Sequence, residues 1–557
     1  MMRKNLKKAG ALILAATMAV SGLAACGSKD AGTSSNTGST STGTSNNGGT
    51  TTKVETTAKE VTYPLDTDYT VTYWMELNGN VAATEYNNMD ETPFGKKLQE
   101  ETGVDIEFTH PAVGQVSEQF NLLLSKTELP DVIEYNWLGY SGGPEKAIKD
   151  GVIIELNDVI DKYCPNLKAY LAANPEIDKM VKTDDGKYYC FPFIRGGDKL
   201  LTSMGLMLRG DWLEELGLEV PTTIAEWENV LTQFKEKKGA EAAFTYQWGS
   251  GGLTNNNPFA YAYGVTREFF LDDNGKVVYG AVQDGYKEYL QLLNKWNNAG
   301  LLHPDLLTVT SDVVASYVTS GKAGASFAYC GSGLGNWTKA GKATDENFVL
   351  VPAPYPTLEE GQKPEMGQRD NNYLGTGSAA ISTTCKNVEI VARLLDYAYS
   401  EAGSTLYNFG TEGESYTLVD GEPNYTDLML ANPNGLTSTQ AIATYARACY
   451  NGPFVQAEAY AEQYYTLQEQ KDAVAIWSDT NMAKHVMPPV TATPEESKEM
   501  ATLLADITKY RDQETALFIQ GKRSFDTWDQ YVADIEKMGL ARVLELKEAA
   551  LARYNNR

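Results

Sequence analysis

Three histidines in 557 residues, His110, His303 and His485, are too few and too scattered to make a zinc-ligand spacing, so no metal is expected. Cysteine is nearly as scarce. Beyond Cys26 there are only Cys164, Cys190, Cys330, Cys385 and Cys449, an odd number with no Cys-x-x-Cys pair, which reads as buried free thiols rather than a disulfide framework. Positive charge is short too: 47 Lys and Arg face 73 Asp and Glu, a net charge of −26 that repels nucleic acid and anionic lipid. Only one long apolar run exists, at the N-terminus, and nothing later approaches the ~20 apolar residues that a membrane-spanning helix needs. Catalytic signatures fail on inspection. Gly335 to Ala343 has a phosphate-loop look, but its spacing is one residue too long and Ala343 lacks the hydroxyl that would hold Mg²⁺. Gly375-Thr376-Gly377-Ser378-Ala379-Ala380 leads into Ile381-Ser382-Thr383, which reads as strand and not as the helix a dinucleotide loop requires. There is no Gly-x-Ser-x-Gly elbow. No cofactor is expected.

What is present begins at the N-terminus. Arg3, Lys4, Lys7 and Lys8 precede an apolar stretch from Ala9 to Val20 and then small residues ending at Leu23-Ala24-Ala25-Cys26, the layout of a secretory signal over residues 1–25. Leu-Ala-Ala-Cys resembles the lipobox of bacterial lipoproteins, which implies cleavage before Cys26 and acylation of its thiol. Acyl chains hold a protein to a membrane at ~0.8 kcal/mol per buried CH₂. Losing residues 1–25 removes four basic and no acidic residues and leaves a charge of −30. From Gly27 to Thr52, 23 of 26 residues are Gly, Ser, Thr or Asn, so residues 26–60 read as a flexible tether that reaches roughly 30 Å.

The roughly 500 residues that follow exceed one core and alternate strand and helix patterns, which predicts an α/β fold of at least two domains. Val71 to Met75 reads as a buried strand. Thr92 to Phe108 gives a helix stopped by Gly103 and a second strand, Gln119 to Leu124 a helix, and Leu129-Pro130-Asp131-Val132-Ile133-Glu134-Tyr135 a turn into a third strand. Thr223 with Glu226, and Thr493 with Glu496 behind Pro494, are capping boxes. Asp184-Asp185-Gly186 and Asp272-Asp273-Asn274-Gly275 lack the later glutamate of a calcium loop and read instead as type I′ hairpin turns.

The Leu129 to Ile133 turn and the segment from Leu208-Arg209-Gly210-Asp211-Trp212 to Trp227 carry a resemblance. So do Ala380 to Thr383 leading into Leu394-Leu395-Asp396-Tyr397, then Asn408 to Tyr416, and finally Phe518 to Gly521 with Trp528-Asp529-Gln530-Tyr531. Together they resemble extracellular solute-binding proteins of the LplA-like lipoprotein group, which serve carbohydrate ABC importers. Ala549 to Tyr554 departs slightly from the family's usual ending. The resemblance implies a periplasmic-binding-protein-like fold of two α/β lobes with a ligand cleft between them. It places chain crossings near Cys190, Gly367 and Gly410, with lobe 1 at 61–190 plus 369–410 and lobe 2 at 191–368 plus 411–557. It further implies a monomer, lipid-anchored through Cys26 on the outer face of a bacterial membrane, of Gram-positive type, that hands an oligosaccharide to permease subunits by hinge closure and is no enzyme. The rivals are a secreted glycoside hydrolase and a binding protein for a peptide or another solute.

A pyranose ring stacks its C–H face on an aromatic, while its hydroxyls need paired donors and acceptors. With 33 Tyr and 9 Trp the chain has the aromatics. In open α/β sheets ligands lie beyond the carboxyl ends of strands. That rule selects Trp74 and Asn78 after the first strand, and Glu134, Asn136 and Trp137 after the third, with Trp74 equally readable as core. Arg195 beside Gly196 and Gly197, Trp248 in a Gly-rich loop, and the polar run Arg369, Asn372 and Tyr373 complete one set, a structural ion pair being the other reading of Arg195 and a solvated loop that of the run. Tyr329, Asn336 and Trp337 surround a second Gly-rich loop, where the family often presents an aromatic. Trp212, Trp227 and Trp528 read as core.

Overall fold

The computed structural model describes residues 61–248 and 257–557. The signal segment, Cys26 and the tether lie outside these residues, as do 249–256, the Gly-rich loop that follows Trp248. In chain order the strands are β1 (Val71–Trp74), β2 (Ile106–Thr109), β3 (Val132–Tyr135), β4 (Ile194–Arg195), β5 (Met204–Arg209), β6 (Ala242–Thr245) and β7 (Phe269–Leu271). Then follow β8 (Val277–Tyr279), β9 (Ala323–Tyr329), β10 (Leu350–Ala353), β11 (Ser378–Ile381), β12 (Tyr416–Val419), β13 (Glu422–Tyr425) and β14 (Val455–Gln456).

Local chemistry explains the opening unit. Thr92 accepts a hydrogen bond from Gly95 N at 3.0 Å and Pro93 occupies the first turn, so the helix Pro93–Thr102 starts cleanly; Gly103, at φ 70°, ends it in the left-handed conformation glycine tolerates. β2 then buries Ile106 and Phe108 and exposes Glu107 and Thr109, the alternation of a half-buried strand. The helix Val116–Leu123 buries Phe120 and Leu123 on the way to β3. The result is a βαβαβ unit in which β1 pairs in parallel with both β2 and β3. β11 adds an antiparallel edge to β3, giving the order β11-β3-β1-β2. The second large sheet has the order β10-β5-β9-β6, with β6 and β9 parallel. Both expected capping boxes form, at Thr223 with Glu226 and at Thr493 with Glu496.

Each sheet has its own core. One cluster gathers buried residues of 71–194 and 373–407 together with Ala443 and Phe454. The other gathers residues of 204–366 and 473–546, including Trp212, Trp227 and Trp528. A third, smaller cluster packs Leu200 against residues of 409–461 such as Met429 and Ile442. Between the two large cores the chain runs in adjacent extended segments. β4 pairs in parallel with β14, and Ile194 also bridges to Tyr373. The third passage therefore lies at Val455–Gln456 and not at Gly410. Gly410, at φ 85°, caps the helix Glu401–Phe409 and turns the chain into the third cluster, so 411–454 does not belong to the second core. The far C-terminus also departs from a simple division: Tyr554 packs with Val490 and Ala550 near Met180, and Arg553 and Arg557 bond Asp184.

The two expected type I′ turns are another kind. Only Gly186 (φ 75°) and Gly275 (φ 70°) have positive φ there, whereas type I′ needs two such residues in succession. Each donates its N–H to the residue three earlier, Thr183 and Asp272, as in a type I turn closed by glycine. The type I′ pattern occurs instead at Asp420 (φ 52°) and Gly421 (φ 90°), between β12 and β13. Among the described residues no helix is long and apolar enough to cross a membrane.

Candidate functional site: the cleft at the strand ends

The selected residues lie at or past the carboxyl ends of β1, β3, β6 and β9 or on the crossing segments, and they divide sharply by burial. Trp137 was expected outside β3 in a polar loop. It is 0% exposed. The single 3₁₀ turn Trp137–Gly139 folds the indole back beneath its own strand, where Nε1 donates to Ile133 O at 3.3 Å and Phe120 meets the ring edge-on at 5.7 Å. Trp74 is buried as well, against Phe120 and Tyr135. Tyr373 is wholly buried, its hydroxyl 2.8 Å from that of Tyr189. All three are core aromatics.

Other selected residues are engaged by the protein itself. Glu134, buried in β3, takes a two-pronged ion pair from Arg447, with Nη2 to Oε1 at 2.7 Å and Nη1 to Oε2 at 3.1 Å, and accepts from the Tyr73 hydroxyl at 3.0 Å. Asn78 caps the short helix Gly79–Ala82 by accepting from Asn80 N at 2.9 Å. Asn136 accepts from Gly139 N at 3.3 Å. Arg195 donates to Leu200 O at 2.9 Å and pairs with Asp370, which realises its structural reading. Asn372 Nδ2 donates to Arg195 O at 2.7 Å, and Arg369 lies 3.1 Å from Asp198. The polar run is therefore the hydrogen-bonded fabric of the crossing.

The remaining candidates sit on the second sheet. Trp248 follows β6, 9% exposed, with the Arg267 guanidinium 5.9 Å from its ring centre. Asn336 and Trp337 begin the helix Asn336–Lys342 and are half-buried, Trp337 leaning on the second core. Before them Cys330–Gly335 forms a single π-helical turn, a shape that recurs at functional sites. Its glycines permit close packing: a Cβ on Gly331 would stand 2.4 Å from the Tyr464 hydroxyl.

Tyr329, named with Asn336 and Trp337 around the second Gly-rich loop, and Glu76, which was not singled out, stand at or past strand ends. Tyr329, the last residue of β9, is 41% exposed, among the few large exposed apolar side chains described. Its phenol is raised above the ordinary range, first by the desolvating walls and then by the Asp370 carboxylate, with Arg195 acting the other way. The backbone brings it near the crossing: Tyr329 pairs with Met204, and three residues before that the Leu201 carbonyl accepts from Asp370 N at 2.8 Å. Glu76, two residues past β1, is exposed and makes no ion pair or hydrogen bond with another described residue; desolvation and the nearby charge of Glu134 raise its pKa. The carboxyl-end rule pointed at the residues past β1, but attention to tryptophan passed over the acid Glu76.

A groove of about 570 Å³ also runs along β1 and β2, past Thr72, Thr109 and Gln119 to Asp131. Asp131 already accepts from Thr72 N at 2.9 Å and from the Tyr69 hydroxyl at 2.8 Å, so that end is closed by the protein's own groups.

Residues 83–405 match the bacterial extracellular solute-binding protein family. The chain belongs to it. Among its relatives is the fructooligosaccharide ABC transporter substrate-binding protein FusA of Streptococcus pneumoniae, 27% identical over 98% of this chain and 97% of its own. Lipoprotein LipO of Bacillus subtilis is 26% identical over 69% of this chain and 75% of its own. In structure the chain is similar to the alginate-binding protein AlgQ2 without calcium ion, at a TM-score of 0.71 and 23% identity, covering 89% of this chain and 100% of that one.

A divalent cation does not fit the one acidic and imidazole cluster found among the described residues, Asp273, Glu365 and His485. The ammonium of Lys484 already lies 3.0 Å from Asp273 and 2.8 Å from Glu365, and His485 Nδ1 is 2.6 Å from Leu271 O. The other suspected loops are engaged as well: Asp184 by Arg553 and Arg557, and Asp272 Oδ1 by Asn274 N and Lys276 N at 2.8 Å each.

Proposed function

We propose that this solute-binding protein is anchored through an acylated Cys26, captures an oligosaccharide between its two lobes, and presents the closed form to an ABC permease. The observation that carries this reading is the arrangement at the crossing. Two separately cored lobes meet at β4, Tyr373 and β14, and an exposed aromatic, Tyr329, stands where the second lobe's strands end. An aromatic platform there can take a pyranose or furanose face, and the crossing segments can flex while each core stays intact. Ligand that touches both lobes favours the closed state, because only a difference in affinity between open and closed forms shifts their populations. FusA and LipO, similar over most of this chain, support the carbohydrate and lipoprotein parts of the reading.

The hydrolase alternative needs two carboxylates free to act across the scissile bond, roughly 5–9.5 Å apart. Of the carboxylates past the strand ends and on the crossing, Glu134 is locked by Arg447 and Asp370 by Arg195, which leaves Glu76 without such a partner among the described residues. No catalytic role follows. Thermal unfolding against neutral and acidic oligosaccharides and peptides, followed by recovery of the ligand, tests the reading. Ligand at 100 times Kd adds about 2.7 kcal/mol of stability. A raised midpoint with an intact glycan is the expected result. Cleaved glycan would hand the case to the hydrolase, and a shift with peptides alone would remove the sugar.

A further inference from the structure

The two lobes are pinned to each other twice. The first anchor is the crossing, where β4 pairs with β14, Ile194 bridges to Tyr373 and Arg195 N donates to Asn372 O at 2.9 Å. The second is a clasp around Arg557, just past the helix Leu540–Asn555, and it uses every donor the guanidinium has. Nε and one Nη2 hydrogen go to Asp184 Oδ1 at 3.0 and 2.7 Å, and the other Nη2 hydrogen goes to the Thr491 hydroxyl at 2.8 Å. Nη1 donates to the carbonyls of Lys179 and Lys182 at 3.2 and 2.5 Å, and the side chain is 2% exposed. Arg553 bonds the other Asp184 oxygen at 2.6 Å and grips Glu496 with both Nη atoms. Residues 179–184 continue a segment that packs in the first core through Ile177 and Val181. The helices that carry Arg553 and Glu496 pack in the second core through Val543 and Met500.

A strut joins the anchors. His485 is tied to β7 through Leu271 O, and two residues later the Met487 carbonyl accepts from Asn371 Nδ2 at 2.8 Å at the crossing. Pro488 and Pro489 then lock φ at two successive positions. Val490 packs with Tyr554 beside Met180, and Thr491 meets Arg557. The Ala492 carbonyl lies against Gly143 of the first lobe, where a Cβ would stand 3.3 Å away. Four residues separate Met487 from Thr491, so the anchors are within about 14 Å of each other.

A body pinned to another at two points keeps one rotation, about the line that joins them. Any further motion has to break the clasp, which strands a buried guanidinium and its carboxylate, a costly loss. We infer that the seam from Asn371 and Met487 to Arg557 and Asp184 is the axis of lobe closure. The clasp stays shut in the open and the closed protein, a pivot and not a latch. This rests on the two-lobed capture reading above. With twist already removed, a ligand has only one angle to fix, so less freedom is lost on binding.

The test is hydrogen exchange read by mass spectrometry on the full chain, alone and with saturating kestose, following residues 179–184 and 490–493. Small-angle scattering of the same samples reports closure. In the free chain both segments should exchange as slowly as β5 and β9, and kestose should contract the protein while leaving their exchange unchanged. Arg557→Ala should speed exchange in both segments about tenfold or more, leave β5 and β9 as they were, and weaken kestose about tenfold. Arg557→Lys, which keeps the charge but not the fork of donors, should fall between and serves should the alanine variant not fold. Faster exchange at 179–184 on adding kestose would make the clasp a latch and overturn the inference while the capture reading stands. Fast exchange there in the free chain, or an Arg557→Ala protein like wild type, would show that the clasp does not pin the lobes. Kestose that causes no contraction would count against capture of this sugar, and the free chain and its variants would still decide the clasp.

Discussion

At the scale of single residues, burial and pairing separate what holds the protein from what meets the ligand. Tyr329 and Trp137 make the contrast. Tyr329→Ala removes an exposed ring from the end of β9 and should weaken glycan binding about tenfold or more, in line with ~1–3 kcal/mol for a stacking or hot-spot aromatic, at an unchanged melting midpoint. Trp137→Ala opens a hole in the first core and should cost about 3–5 kcal/mol of stability in denaturant titration. An unchanged stability of the Trp137 variant would show that the indole is not packed. Arg447→Leu leaves Glu134 charged and buried, which should cost about 3–5 kcal/mol. Glu134→Gln together with Arg447→Leu should recover much of that loss, because the uncompensated charge is gone; a double variant no better than the single one would locate the cost in packing.

At the scale of elements, Asp396 ties a helix end to the first core and makes stability depend on pH. Its carboxylate accepts from Leu167 N at 2.8 Å and from Asn166 N at 3.2 Å, at the start of the helix Pro165–Ala173, and from Asn166 Nδ2 at 2.8 Å. Burial nevertheless pushes its pKa up to about 6 from 3.8, more than these bonds pull it down. A carboxyl with a raised native pKa binds more protons folded than unfolded between those two values. Stability from this group therefore falls as pH rises from 3.8 to about 6 and is level above. Two pKa units correspond to roughly 3 kcal/mol at most. Urea unfolding of wild type and Asp396→Asn across that window should show the wild type losing stability relative to the variant as pH rises. A constant difference would mean the carboxyl titrates at its ordinary value.

At the scale of the whole molecule, the lobes meet both at the crossing and at the C-terminus. Arg557 donates to Asp184 Oδ1 at 2.7 and 3.0 Å, to the Thr491 hydroxyl at 2.8 Å and to the carbonyls of Lys179 and Lys182 at 3.2 and 2.5 Å. It joins the end of the helix Leu540–Asn555, packed by its buried Val543 and Leu546 on the second core, to the segment 179–184 beside the first. Arg557→Ala should lower stability by about 1–3 kcal/mol, the cost of stranding a partly buried acceptor, though Arg553 still bonds Asp184. If the clasp also sets the angle between lobes, small-angle scattering of that variant without ligand should give a radius of gyration different from wild type.

The sequence by itself determined the local and the repetitive. Short-range rules placed β1 to β3, the stop at Gly103 and the capping boxes at Thr223 and Thr493, because each depends on residues within a few positions of one another. It also carried the family, whose motifs lie along the chain. The tertiary structure alone decided which aromatics are core and which charges are spent. Glu134 finds Arg447 313 positions away and Arg195 finds Asp370 175 positions away, so no local pattern in Glu134-Tyr135-Asn136-Trp137 or Arg195-Gly196-Gly197 announces either pair. Trp137 likewise looks like a loop residue until its backbone turns the ring under Ile133. Burial and pairing are properties of what the fold brings near, and a residue's neighbours in sequence do not contain them.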